Sequence, residues 1–226
     1  LLESEFSLYQ VVQQIQPSLQ PIVVSSSTLK FTIGSLLNIL TEQKLQTEIW
    51  VKLPQTSNWL NELKEYKDRG NAETIYVCNP KKKDRNLSWE DESYLENSER
   101  ETAVIPIDLK TNNNLQKESF LIALSENFCF SIVAQWQTSK IHIEASSKRL
   151  QQPYLKVFFN FDAKITINIL KALHKAIEPA SISSLKTKNK SRELLSESTI
   201  FPDLNTAEEN KVLVSLLMAQ IQYSEK

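Results

Sequence analysis

The stretch Phe120–Trp136, FLIALSENFCFSIVAQW, most narrows the folds open to this chain. Two apolar runs of strand length, rich in Phe, Ile and Val, flank the polar break Ser125-Glu126-Asn127. That layout predicts a hairpin, though without the Asn-Gly or Asp-Gly pair that marks the tightest turns. A strand with one wet face alternates apolar and polar residues, and these runs barely alternate. Both faces of the sheet should therefore be covered, with helices on at least one.

The residues around this hairpin predict its neighbours. Leu8, Val11, Val12 and Ile15 recur at helical spacing over 6–15, and Pro17 ends the pattern. Ile22–Val24 reads as a short extended piece. Ser25-Ser26-Ser27-Thr28 offers N-cap hydroxyls to a helix whose stripe is Leu29, Ile33, Leu36, Leu37 and Leu40. Capping is the preferred reading of this run. An anion site at the helix start is the alternative, with Lys30 as its one nearby cation. TEIWVKL (47–53) and TIYVC (74–78) read as strands joined by a helix over 58–68, with Gly70 just past its end. A strand, helix and strand within about 30 residues make a βαβ unit, so these strands should run parallel.

TAVIPI (102–107) predicts a strand, with Pro106 suiting a sheet edge. KIHIEA (140–145) alternates strictly and predicts an additional outer strand. There His142 and Glu144 read as a surface pair rather than a catalytic dyad, since a third partner is missing. YLKVFFNF (154–161) is the last predicted strand. Asp162 caps an amphipathic helix to Ile177, with His174 on its flank as a partly exposed imidazole.

Two segments stand apart. Residues 79–101 run from Lys81-Lys82-Lys83 into an acidic stretch, with Trp89 and Tyr94 positioned to tack the loop onto the body. A basic triplet this small reads first as a solvated turn and second as a contact site. Residues 179–204 form a polar linker. The segment 205–226 starts with a Thr206–Glu209 capping box and continues as an amphipathic helix with Leu213, Leu216 and Leu217 on one side. That face needs a partner: this domain, a second copy, or another protein.

Scarcity of certain residues excludes several chemistries. With two glycines, Gly34 and Gly70, the chain has neither a G-x-G-x-x-G nor a Walker A loop for a nucleotide phosphate. His142 and His174 come without zinc-ligand spacing, and no G-x-S-x-G elbow is present. Cys78 and Cys129 lie within apolar runs and read as buried free thiols of a reducing compartment. The net charge of −1 offers no field for nucleic acid. No stretch reaches the roughly 18 apolar residues of a membrane helix. The opening LLESEFSLYQ lacks the features of a signal peptide, and its missing Met points to a fragment. Trp50, Trp59 and Trp136 read as core, with a pigment or small-molecule pocket as the alternative.

The succession of elements resembles a known family. LYQVVQQIQP, the serine-threonine capped helix, IWVKLPQTSNWLNELKEYKDRG, TIYVCNP, FLIALSENFCFSIVAQW and YLKVFFNFD look like the DICT sensory domain over roughly Leu8 to Ile177. The resemblance implies an α+β fold around a four-stranded sheet and a regulatory input role in cytoplasmic bacterial signalling proteins, light responses included. It carries over no catalytic residue. Members often have Trp where this chain has Phe120, and an Arg-Glu pair where it has Gln135-Trp136.

The expected architecture is therefore α+β: a sheet of about four to six strands with packed helices. It comprises a domain over 1–178, a linker over 179–204 and a separate helix over 205–226. The expected function is non-catalytic sensory input, with no cofactor, no nucleic acid and no membrane insertion. Partners would be an output domain or protein, with a homodimer as one form. The alternative is an assembly protein. Candidate interaction residues are Lys81, Lys82, Lys83, Trp89, Leu213, Leu216 and Leu217.

Overall fold

A computed structural model of the chain describes residues 6–54, 59–79, 102–110, 113–125, 128–142 and 149–178. The elements in order are α1 (Leu8–Ile15), β1 (Ile22–Val24), α2 (Ser26–Glu42), β2 (Thr47–Lys52), α3 (Trp59–Arg69), β3 (Ala72–Cys78), β4 (Ala103–Ile107), a one-turn α4 (Asn113–Gln116), β5 (Glu118–Leu124), β6 (Cys129–His142), β7 (Arg149–Asn160) and α5 (Ala163–Lys175). The strands form one seven-stranded sheet in the order β1-β7-β6-β5-β2-β3-β4.

The α+β class is as expected, and the sheet is wider. Ile22–Val24, read as an extended piece, joins as an edge strand antiparallel to β7. The βαβ reading holds: β2 and β3 are parallel, and β4 adds parallel to β3 as the opposite edge, where Pro106 withholds no needed donor. The hairpin forms between β5 and β6, with Ser125 and Phe128 closing its turn by reciprocal bonds of 2.9 and 3.0 Å. One expectation is corrected. Lys140–His142 is not a separate outer strand but the end of β6, because β7 starts at Arg149 and pairs β6 out to His142. Ile143–Ala145 lie outside the described residues.

Period-two alternation divides the sheet's side chains between two layers. Ile49, Val51, Ile75, Val77, Leu121 and Ile132 meet the stripes of α2 and α3. Trp50, Tyr76, Phe120, Ile122, Val133 and Phe158 meet α1 and α5. Each fully buried aliphatic or aromatic side chain removes enough apolar surface to contribute about 1.5–3 kcal/mol. The covering on both sides explains why β2 and β5 are buried at every position.

Helix ends follow their caps. Ser25 accepts from Thr28 N at 3.1 Å and Asp162 from Ile165 N at 3.0 Å. Gly70 closes α3 through Gly70 N to Tyr66 O at 2.7 Å, without a positive φ. Its need is steric: a Cβ there would lie 2.5 Å from Tyr66 O and 2.6 Å from the Tyr66 ring. The predicted linker and final helix, with Leu213, Leu216 and Leu217, lie outside the described residues, as do Lys81, Lys82, Lys83 and Trp89.

Candidate functional site

On β2, Glu48, Trp50 and Lys52 alternate onto the side of α1 and α5. Among the described residues the buried charged side chains are Glu48, Lys52 and Glu118, at 9%, 8% and 0% exposure. Charges at such depth are costly unless partnered, so their partners define the site.

Glu118 opens β5, where Lys52 pairs across the ladder with Phe120, two residues further on. Its carboxylate accepts from Ser7 Oγ at 2.5 Å and from Leu8 N at 2.8 Å. Ser7 in turn caps α1, accepting from Gln10 N at 3.1 Å. Free N–H groups and the helix dipole make a helix start a favourable place for a carboxylate. The Lys52 ammonium donates to the Glu118 backbone carbonyl. The start of α1, the end of β2 and the start of β5 thus meet at one charged joint.

Burial pushes the Glu118 carboxyl above its ordinary range, opposed by its bonds from Ser7, Leu8 and Tyr9 and by Lys52. Burial lowers Lys52 to about 8, opposed by Glu118 and Cys78. Burial thus acts on both groups in the direction of neutrality, and their mutual attraction opposes it. Burial holds the neighbouring Cys78 thiol far above the thiolate range, so it is a protonated, unreactive group. Cys129 is pushed up to about 12 for the same reason, and both cysteines are free, as expected.

Behind the joint, Trp50 stacks on Tyr76 with ring centroids 4.0 Å apart, and its Nε1 donates to Glu48 Oε1 at 2.7 Å. The His174 ring lies 4.8 Å from Trp50. Burial lowers His174 to about 4, and its buried Nε2 has no hydrogen-bond partner among the described residues. The imidazole is half-buried as expected, but it is part of the aromatic packing rather than a bystander on the helix flank. A second polar node links the layers: Asn160 Nδ2 donates to Thr166 Oγ1 at 3.0 Å and to Ser131 Oγ at 3.3 Å.

This arrangement ties the first turn of α1 to the start of β5. Its acceptors and donors are turned on one another. Among the described residues no three His, Cys, Asp or Glu side chains gather as metal ligands. On the opposite side, α2 and α3 border a cleft of ≈ 250 Å³ lined by Gly34, Asn38, Thr41, Glu62, Tyr66 and Arg69 among others. Lys30, the cation of the alternative anion-site reading, is bound to Glu62 at 3.4 Å, and the serine run caps its helix. Trp50 is core, and Trp136 packs half-buried against the other cluster. No helix of the described residues is long and apolar enough to cross a membrane, which leaves β-barrel spans unaddressed.

Ser7, Lys52 and Glu118 escaped the sequence reading. For Lys52 and Glu118 a signal was present: charged residues inside or bordering strands expected to be covered on both faces. The pairing with Ser7, 111 positions away, leaves no local trace.

A family model described as "Sensory domain in DIguanylate Cyclases and Two-component system" matches residues 5–137. No curated protein and no solved structure matches the chain.

Proposed function

The chain belongs to the DICT family of sensory domains, and from that premise we propose that it is a non-catalytic input module in which α1 is the moving part. A ligand, light or a partner would favour one position of α1, and the layer of α1 and α5 would pass the change to an output module. The observation that supports this is the joint of Ser7, Lys52 and Glu118. Buried ion pairs are weak sources of net stability but discriminate strongly between a closed arrangement and one that leaves a charge unpaired. A switch needs two states within a few kcal/mol and an input that binds one better. On release of α1, water would solvate the two buried charges again. That gain offsets the exposure of Leu8, Tyr9 and Val12 to solvent, which keeps the states close.

The test joins the full chain to a diguanylate cyclase reporter. Glu118→Gln should shift basal output at least several-fold while the circular dichroism spectrum stays native. Unchanged output from a folded Glu118→Gln protein would count against α1 as the relay.

A further inference from the structure

The two helical layers differ in how their charges are arranged. On α2 and α3 cations and anions interleave and pair, with Lys30–Glu62 at 3.4 Å and Arg69–Glu65 at 2.7 Å. α5, AKITINILKALHK, contains no carboxylate. Its inward side is Thr166, Ile169, Leu170 and Leu173. At 100° per residue, Lys164, Lys171 and Lys175 fall within about 40° of one another and about 170° from that inward side. Lys164 and Lys175 are exposed and Lys171 is half-buried. None of the three has an ion-pair partner among the described residues.

Along the length of α5 the described surroundings do little to cancel this stripe, and opposing carboxylates gather only at its two ends. Next to α5, α1 presents the uncharged Gln10, Gln13 and Gln14. Asp162 at the helix start is committed to the cap, accepting from Ile165 N. At the far end Glu178 N donates to Asp108 O at 2.8 Å. There Lys110, exposed, donates its N–H to Ala176 O at 2.7 Å, so one more cation stands beside two carboxylates.

We propose that the outer face of α5, flanked by α1, docks an acidic helix of a protein partner. This deepens the sensory reading by naming the chemistry of the partner, and rests on it. The lysines lie seven and four residues apart, about 10 and 6 Å along the axis, which matches carboxylates at the same spacing on an opposed helix. The flanking amides can hydrogen-bond across the contact without altering its charge. A duplex would demand more phosphate contacts than a single row of three lysines makes. A bilayer surface would demand apolar side chains beside the lysines, and among the described residues the exposed large hydrophobics, Val23 and Phe31, are on neither helix.

The test uses the full chain and four probes in fluorescence anisotropy or co-sedimentation. They are a synthetic helical peptide with glutamates at the four- and seven-residue spacing, a peptide of the same composition with scrambled spacing, a short DNA duplex, and vesicles containing phosphatidylglycerol. The spaced peptide should bind roughly tenfold tighter than the scrambled one and weaken with salt. The triple variant Lys164→Gln/Lys171→Gln/Lys175→Gln should lose roughly tenfold in affinity, whereas Lys44→Gln/Lys64→Gln, outside this layer, should not. Equal binding of the two peptides, tighter binding of duplex or vesicles, or an unaffected triple variant would overturn the docking surface. Circular dichroism checks that the triple variant is folded, Lys171 being the one half-buried position of the three. The cyclase reporter with Glu118→Gln reads the sensory role separately, so the two failures are distinguishable.

Discussion

Lys52 donates its ammonium hydrogen to the backbone carbonyl of Glu118, while the Glu118 side chain turns the other way to Ser7 Oγ and Leu8 N. One residue therefore ties the centre of the sheet to the first turn of a helix 110 positions earlier in the chain. The ammonium and carboxylate attract without a direct bond, which leaves each able to change partners separately.

Ser7→Ala and Glu118→Gln should be strongly coupled. Ser7→Ala loses the α1 cap and one donor to the carboxylate, at about 1–2 kcal/mol. Glu118→Gln keeps the shape and the Lys52 bond to the backbone carbonyl but removes the charged acceptor of Ser7 and Leu8, and a hydrogen bond to a charged group is worth about 1.5–3 kcal/mol. Urea unfolding of the double variant should show less than the sum, since contacting residues couple by about 0.5–3 kcal/mol. Strict additivity would mean that the two side chains do not share a bond.

Lys52 makes stability depend on alkaline pH. Its folded pKa of about 8 lies below the ordinary 10.5, so the unfolded chain binds more protons between those values. Its contribution is therefore fully favourable above 10.5 and is lost as pH falls through 8. Cys78 and Cys129, raised by burial, act in the opposite sense at alkaline pH, so the comparison must be with Lys52→Met. The stability difference between wild type and Lys52→Met should move in favour of wild type from pH 8 to 10.5. A flat difference would show that Lys52 is solvated.

His174 should set part of the acid limb. Its pKa falls from 6.5 to about 4 in the fold, so stability is lost as pH drops from 6.5 through 4, where the unfolded chain takes the extra proton. Glu118, raised by burial, opposes this at low pH. His174→Phe should retain the tilted ring contact with Trp50 and unfold with a shallower pH dependence between 6.5 and 4. An unchanged slope in urea titrations would contradict the buried neutral imidazole.

The two glycines should respond in opposite directions to alanine. A Cβ on Gly34 meets only the end of the Glu62 side chain, at 3.3 Å, and alanine gains about 1 kcal/mol of helix propensity. Gly70→Ala would press on backbone and ring atoms of Tyr66 at 2.5 and 2.6 Å, and overpacking of this kind costs about 1–3 kcal/mol. Thermal melts should place Gly34→Ala at or above wild type and Gly70→Ala several degrees below. The reverse order would refute the packing at these helices.

Much of this fold is legible in the sequence where the signal is local. The hairpin of FLIAL and CFSIVAQ announces a doubly covered sheet, Ser25 and Asp162 announce helix starts, and the spacing from TEIWVKL to TIYVC announces parallel strands. Where the signal depends on distant pairing, legibility ends. KIHIEA alternates like an independent strand, and only the long partner β7 makes its first residues the end of β6. Lys117-Glu118-Ser119 resembles a polar turn, and Glu118 becomes a buried cap because Ser7 meets it in space. Gly70 stands at the expected helix end for a different reason, steric room beside Tyr66 instead of a left-handed backbone.

Native-state hydrogen exchange tests most directly whether α1 is a separately releasable element. In wild type, amides of Leu8–Ile15 should open at a free energy below that of Ile49–Val51 and Leu121–Ala123 in the central strands. Glu118→Gln should speed exchange in α1 by more than tenfold and leave the central strands within about threefold, after allowance for the change in global stability. If α1 exchanges only with global unfolding, and Glu118→Gln moves helix and strands by the same factor, α1 is a fixed part of the core and the relay is elsewhere.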